Sequence, residues 1–207
     1  RDLHLYIRRQ RQMCIRDSNK GGSIFFAKKF GRIIGVVALM PTHELGVYEL
    51  TKMGPTSTNC CPGRFVFIKS QEEKEKLEPA LLPNNVPKVM SAPVIAIIGY
   101  DLDFSDHMTK LFPHMDVAPM YKGNDEMNVS TAFRNSSLQG AYLMMVARAI
   151  GLDCGPMSGF NNQLVDETFF SDTNIKSNFL CCIGYGDSSK IFQRLPRLDF
   201  NEVCKIS

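Results

Sequence analysis

The chain has 207 residues, 44% apolar and 22% charged, close to the globular average. This composition excludes a disordered polyelectrolyte, and the length suits one domain with a sizeable core. The formal net charge of +3 is unevenly placed: residues 1–41 hold nine Lys/Arg and two Asp/Glu, whereas the rest holds 15 basic and 19 acidic residues. The body of the chain is therefore mildly acidic, which argues against a nucleic-acid groove.

Seven cysteines (Cys14, Cys60, Cys61, Cys154, Cys181, Cys182 and Cys204) include two adjacent pairs and no C-x-x-C, a spacing that suits neither a zinc site nor a disulfide framework. The odd count points to a reducing, cytoplasmic setting. The Asn-x-Ser matches at Asn128 and Asn135 read as chance.

Residues 1–23 are rich in arginine and lack an amphipathic period, so they contribute no core-forming pattern. The functional reading is a basic targeting arm. The string RRQRQMCIRDS also resembles translated sequencing-adaptor read-through, so this stretch is set apart from the fold. The apolar run Ile33–Met40 is too short to span a bilayer, so no membrane segment is expected; it has the length of a signal-peptide core, the alternative reading, against which no small-residue cleavage site is convincing. The chain therefore divides into an atypical segment, 1–41, and a domain, 42–207.

From Thr42, a helix cap, the pattern settles: Leu45, Tyr48 and Leu50 supply apolar contacts and Gly54 ends the helix. Pro55–Asn59 is a hydroxyl-rich loop, or else a simple turn into the strand Arg64–Ile68. Gln71–Leu77 reads as a charged, solvated helix start. Val94–Ile98 is a continuous apolar run and hence a buried strand. Tyr100–Met127 looks irregular, a candidate lid containing His107 and His114, which are either acids or ordinary surface residues.

The stretch Ser130–Phe160 organises the sequence. From Leu138 to Ile150 nearly every residue is apolar, so the helix is expected to be buried on most sides, with Gly151 at its C-cap. One stripe holds Leu138, Ala141, Tyr142, Met145 and Ala149, and the opposite one holds Leu143, Met144, Val146 and Ile150. The following loop, Gly151–Phe160, contains three glycines and a proline within ten residues and lets backbone N–H groups approach a ligand, although a plain turn has the same composition. Gln163–Phe170 reads as a short helix and Phe179–Ile183 as another buried strand. Lys190, Arg194 and Arg197 either gather charge around an anion or form exposed ion pairs.

Three segments together, Gly54-Pro-Thr-Ser-Thr-Asn59, Gly155-Pro-Met-Ser-Gly-Phe160 and Gly184-Tyr-Gly-Asp-Ser-Ser-Lys190 with Arg194-Leu-Pro-Arg197, resemble the FMN-dependent nitroreductase superfamily. They are most similar to its malonic semialdehyde reductase branch. The resemblance runs from Thr42 to Ser207. It implies an α+β fold with a mixed sheet flanked by helices and a long buried central helix at a homodimer interface. It also implies FMN as cofactor and NADH or NADPH as hydride donor.

By the same resemblance, FMN is held by Thr56, Ser57 and Asn59, often from the partner subunit, by Pro156, Met157, Ser158 and Gly159 near the ring, and by Lys190, Arg194 and Arg197 at the phosphate. A substrate carboxylate takes Arg64 or Arg134, for each of which a structural ion pair is the competing role. Two features depart from the family: Cys61 replaces a frequent glutamine, and the N-terminal arginine motif is missing, with either Lys28, Lys29 or Arg32 as substitutes or a frameshifted or chimeric N-terminus. The implied activity is reduction of malonic semialdehyde to 3-hydroxypropanoate. Reduction of nitroaromatics, quinones or enals, and a non-catalytic flavin-binding role, are the alternatives.

Overall fold

The computed structural model describes residues 43–187, 189–190 and 193–207. Residues 1–41, with Lys28, Lys29 and Arg32, and the expected cap Thr42 lie outside the described residues. In chain order the helices are α1 (His43–Thr51), α2 (Gln71–Leu77), α3 (Val86–Ser91), α4 (Met108–Leu111), α5 (Ala118–Tyr121), α6 (Asp125–Ala149), α7 (Asn162–Phe169) and α8 (Phe200–Val203). The strands are β1 (Gly63–Ile68), β2 (Val94–Asp101), β3 (Asp153–Met157) and β4 (Ile175–Gly184), in the sheet order β1-β2-β4-β3.

The class is α+β, as expected, but all three pairings among the described residues are antiparallel, so the sheet they form is not mixed. β3 is a second difference. The stretch expected to be wholly loop extends from Asp153 and pairs with β4, Cys154 opposite Ile183 and Met157 opposite Leu180. Its glycine and proline content hid it; Pro156 is tolerated because β3 is an edge strand. The irregular loop is correspondingly shorter, Ser158–Asn161.

Both faces of the sheet are covered. On one, Ala96, Ile98, Cys181 and Ile183 pack against Leu143 and Ala147 of α6 and Val47 of α1. On the other, Ile68, Ile95, Ile97 and Leu180 meet Leu77, Val89 and Val165 of α2, α3 and α7. The charged start of α2 is not wholly solvated, because Lys74 is buried and donates from Nζ to Ala92 O at 2.6 Å. In α1 Val47 and Thr51 are buried, Tyr48 is partly exposed but meets Phe65 edge-on with ring centroids 6.2 Å apart, and Leu50 is exposed.

The region expected to be an irregular lid contains α4 and α5 and has a small core of its own, Phe104, Met108, Val117 and Tyr121 with Cys60 and Ala132. Phe104 and Tyr121 meet edge to face with ring centroids 4.9 Å apart.

Helix α6 begins earlier than its apolar run suggests, with Asn124 accepting from Met127 N at the N-cap. Gly151 ends it at φ +95°, as expected of a left-handed C-cap. The helix is not buried on most sides. Its sheet-facing stripe is small, polar or aliphatic (Thr131, Ala132, Asn135, Ser136, Gln139, Gly140, Leu143, Ala147). Gly140 is needed there, since a Cβ would come within 2.5 Å of Phe179 Cζ. Val129, Phe133, Leu138 and Met145, the last 68% exposed, project outward.

Two outcomes follow from this packing. Leu143→Ala is expected to lower unfolding free energy by about 2–5 kcal/mol through a cavity between α6 and the sheet; an unchanged urea midpoint would show that α6 does not pack as described. The second concerns thiols. Burial pushes Cys60 and Cys182 from 9.0 up to about 11. The fold thus keeps them protonated where the unfolded chain has ionised them. Their stabilisation is whole below about pH 9 and is lost as pH rises through about 11. The urea midpoint should fall between about pH 8 and about pH 10.5, and Cys182→Ala should flatten part of the fall. A midpoint that does not move with pH would contradict this.

Candidate functional site

The loop joining α1 to β1 lies along one face of α6. Tyr142 donates its hydroxyl to Pro55 O at 2.9 Å, Ser57 N donates to Asn135 Oδ1 at 2.8 Å, and Gly63 N donates to Gln139 Oε1 at 2.7 Å. The approach is close at both flanks. A Cβ on Gly54 would stand 2.1 Å from Tyr142 Cδ2, and one on Gly63 would stand 2.7 Å from Gln139 Oε1.

Between these anchors the backbone is left-handed at three non-glycine residues, Thr58 (φ 47°), Asn59 (φ 54°) and Cys61 (φ 40°). Such residues cost of order 1–3 kcal/mol each, least for Asn and most for a β-branched residue such as Thr58. A net hydrogen bond returns only about 0.5–1.5 kcal/mol, so no single contact offsets the strain. Several do so together. Cys61 N donates to Thr56 Oγ1 at 3.2 Å, Tyr121 Oη lies 2.9 Å from Thr58 Oγ1, and Asn59 Nδ2 donates to Leu111 O at 2.9 Å.

This assigns different tasks to the three polar residues read as ligands. Thr56 and Asn59 bond their side chains to the loop and its neighbours, whereas Ser57 is exposed and its hydroxyl has no hydrogen-bond partner among the described residues.

The second expected ligand segment leaves the opposite edge of the sheet. Pro156 and Ser158 are exposed, and Met157 is partly buried against the α2, α3 and α7 side. Gly159 O accepts from Leu82 N and from Asn85 Nδ2, each at 3.0 Å. A Cβ on Gly159 would meet Asn85 Nδ2 at 2.6 Å. A side chain at this position would therefore have to displace the Asn85 amide and the Leu82 side chain. In the sheet order, β1 and β3 stand three strand spacings apart, roughly 14 Å. One chain thus presents its two loops at opposite edges.

The C-terminal cations Lys190, Arg194 and Arg197 are all exposed. Lys190 Nζ lies 3.8 Å from Asp187, Arg197 donates to the carbonyls of Leu195 and Pro196 at 3.0 and 3.1 Å, and Arg194 is exposed. Arg64 takes the competing role considered for it: it pairs with Asp101 and donates to Cys61 O and Gly63 O, bracing the loop from beneath. Arg134 is exposed on α6 beside Asn135 and makes no ion pair among the described residues. His107 and His114 are exposed, the latter edge-on to Phe112. No group of three or more His, Cys, Asp or Glu among the described residues could hold a metal.

The sequence reading missed Asn135, Gln139 and Gly63. Asn135 entered it only as a sequon, yet two amides four residues apart in an apolar helix are themselves a signal, since buried amides require partners.

A family model described as "Nitroreductase family" matches residues 46–186. A protein of Cupriavidus pinatubonensis, provisionally named NADH dehydrogenase/NAD(P)H nitroreductase, is 52% identical over 164 residues, 78% of this chain and 84% of that one. One of Ralstonia pickettii with the same provisional name is 53% identical over 164 residues, with the same coverage of 78% and 84%. Among solved structures, the Bacillus subtilis nitroreductase-type protein ydfN superposes with TM-score 0.73 at 21% identity, covering 95% of this chain and 99% of its own. A nitroreductase-type protein of Exiguobacterium sibiricum, solved in complex with FMN, gives TM-score 0.71 at 23% identity, with coverage of 82% and 88%. With a family match over more than half its length and relatives above 50% identity across most of theirs, the chain belongs to the nitroreductase family.

Proposed function

We propose that this chain is an FMN-dependent NAD(P)H oxidoreductase that works as a homodimer and reduces a small aldehyde, malonic semialdehyde to 3-hydroxypropanoate. One observation carries the reading: the strained, firmly anchored Pro55–Gly63 loop that leaves the Ser57 hydroxyl open. Strain of this kind persists where surrounding structure over-determines it, and it concentrates at ligand sites. Family membership, the relatives' NAD(P)H nitroreductase names and the FMN held by a structural neighbour support the cofactor.

The residues present fit FMN in kind. Ser57, with the loop shaped by Thr56 and Asn59, would hydrogen-bond the ring and ribityl chain. Pro156–Gly159 would flank the ring, and Lys190, Arg194 and Arg197 would meet the phosphate. Bound FMN supplies hydride acceptance from NADH or NADPH and its delivery to the acceptor. In the net reaction the aldehyde carbon would gain a hydride and its oxygen a proton from solvent. Of the two arginines considered for the substrate carboxylate, Arg134 is available, whereas Arg64 is committed to Asp101.

A second chain accounts for what one chain leaves apart. The exposed apolar side chains of α6 (Val129 and Phe133 on one flank, Leu138 and Met145 on another) and the exposed Leu195, Leu198, Phe200, Val203 and Ile206 are the apolar surfaces it would cover. The segment from a partner would then complete the site that the opposite sheet edges divide. A cytoplasmic setting accords with the free thiols of Cys60, Cys61, Cys154, Cys181, Cys182 and Cys204, and no helix among the described residues is long and apolar enough to cross a membrane. Reduction of a nitroaromatic or quinone is the second reading, favoured by the relatives' names.

The test is anaerobic: protein loaded with FMN is mixed with NADH or NADPH, bleaching of the flavin bands is followed, and malonic semialdehyde, a nitroaromatic and a quinone are offered as reoxidants. Fastest reoxidation by the semialdehyde supports the reading. Failure to bleach contradicts it, and preference for a nitroaromatic or quinone selects the second reading. At the phosphate, Arg197→Ala should weaken FMN at least about tenfold, equivalent to about 1.4 kcal/mol, and leave riboflavin little changed. Equal loss of both would make Arg197 a support of the fold.

A further inference from the structure

We infer that Asn135, Gln139 and Tyr142 are positioning residues that hold the Pro55–Gly63 loop in its flavin-binding shape. The inference rests on the flavin reading above and concerns how this chain builds that site. The three residues are spaced four and three apart on α6, which places them on one helix face. Each makes one bond to the loop backbone: Asn135 accepts from Ser57 N, Gln139 accepts from Gly63 N and Tyr142 donates to Pro55 O.

Two of these side chains have little other reason to be where they are. Asn135 is 2% and Gln139 5% exposed, on a helix face that otherwise packs Ala132, Gly140 and Leu143 against the protein. A buried amide in such a place is costly unless its polar atoms are used. Asn135 uses both ends, since its Nδ2 donates to Thr131 O at 2.8 Å, which fixes the side-chain orientation and aims Oδ1 at the loop. The glycines at both flanks let the helix side chains approach where a Cβ would collide.

The strain lies between these anchors, at Thr58, Asn59 and Cys61. Releasing an anchor therefore lets the loop relax toward ordinary φ values and turns Ser57 away from its ligand-facing position. The effect is on presentation and not on chemistry, because none of the three need touch the reacting atoms.

The test is isosteric. Gln139→Met and Asn135→Leu keep volume but remove the acceptor; Gln139→Glu keeps an oxygen at Oε1. Flavin affinity is read by fluorescence quenching with FMN and with riboflavin, alongside the melting temperature of the flavin-free protein. The expected result is at least about tenfold weaker binding of both flavins for Gln139→Met and Asn135→Leu, with Gln139→Glu within about threefold of the parent. Equal loss for the two flavins is the signature, because the loop serves the ring and ribityl chain and not the phosphate.

Parent-like affinity in both isosteric variants overturns the inference while leaving the flavin reading intact. Absence of flavin binding by the parent protein overturns that reading itself. Should the buried variants fail to fold, Tyr142→Phe decides: a loss of at least about threefold for both flavins supports the clamp, and no loss overturns it.

Discussion

The contact between one polar face of α6 and the backbone of the Pro55–Gly63 loop is the constraint on which the candidate site depends. A loop with three left-handed non-glycine residues does not keep its shape by local preference. It keeps it because Asn135, Gln139 and Tyr142 hold its backbone groups, while Arg64, locked to Asp101, supports it from below. Helix α6 is in turn fixed by Leu143 and Ala147 against β2 and β4. The order of dependence is therefore sheet, helix, loop, and only then the open hydroxyl of Ser57.

The inward face of α6 is small and polar enough to admit a loop and the ring of Phe179. On the two flanks of that buried face stand exposed apolar side chains, Val129 and Phe133 on one and Leu138 and Met145 on the other. The proposed site between two chains would bring together the loops that one chain holds at opposite sheet edges.

Much of this was legible in the sequence where burial and period coincide. The runs Val94–Ile98 and Phe179–Ile183 became the two central strands, and the α6 stripe of Leu143, Met144, Val146 and Ile150 packs on the sheet side, whereas from the other stripe Tyr142 turns to the Pro55–Gly63 loop and Leu138 and Met145 are exposed. β3 was hidden because edge strands tolerate the proline and glycine that read as loop. The small core under Phe104 and Tyr121 was hidden because its residues are scattered over short helices with no sustained period. At the site, residue types were readable but allegiance was not. Arg64 has the right chemistry for ligand contact, yet Asp101 of the same chain claims it. Only a three-dimensional neighbourhood separates a residue that meets a ligand from one that holds the residue that does.

The central claim is that a flavin site is assembled from two chains, each contributing one of two loops that a single chain holds apart. Native mass spectrometry of the protein with FMN added tests it most directly, since it counts chains and flavins in the same particle. The account expects particles of two chains carrying two flavins, with no flavin retained on a single chain. A single chain holding one FMN as firmly would contradict it.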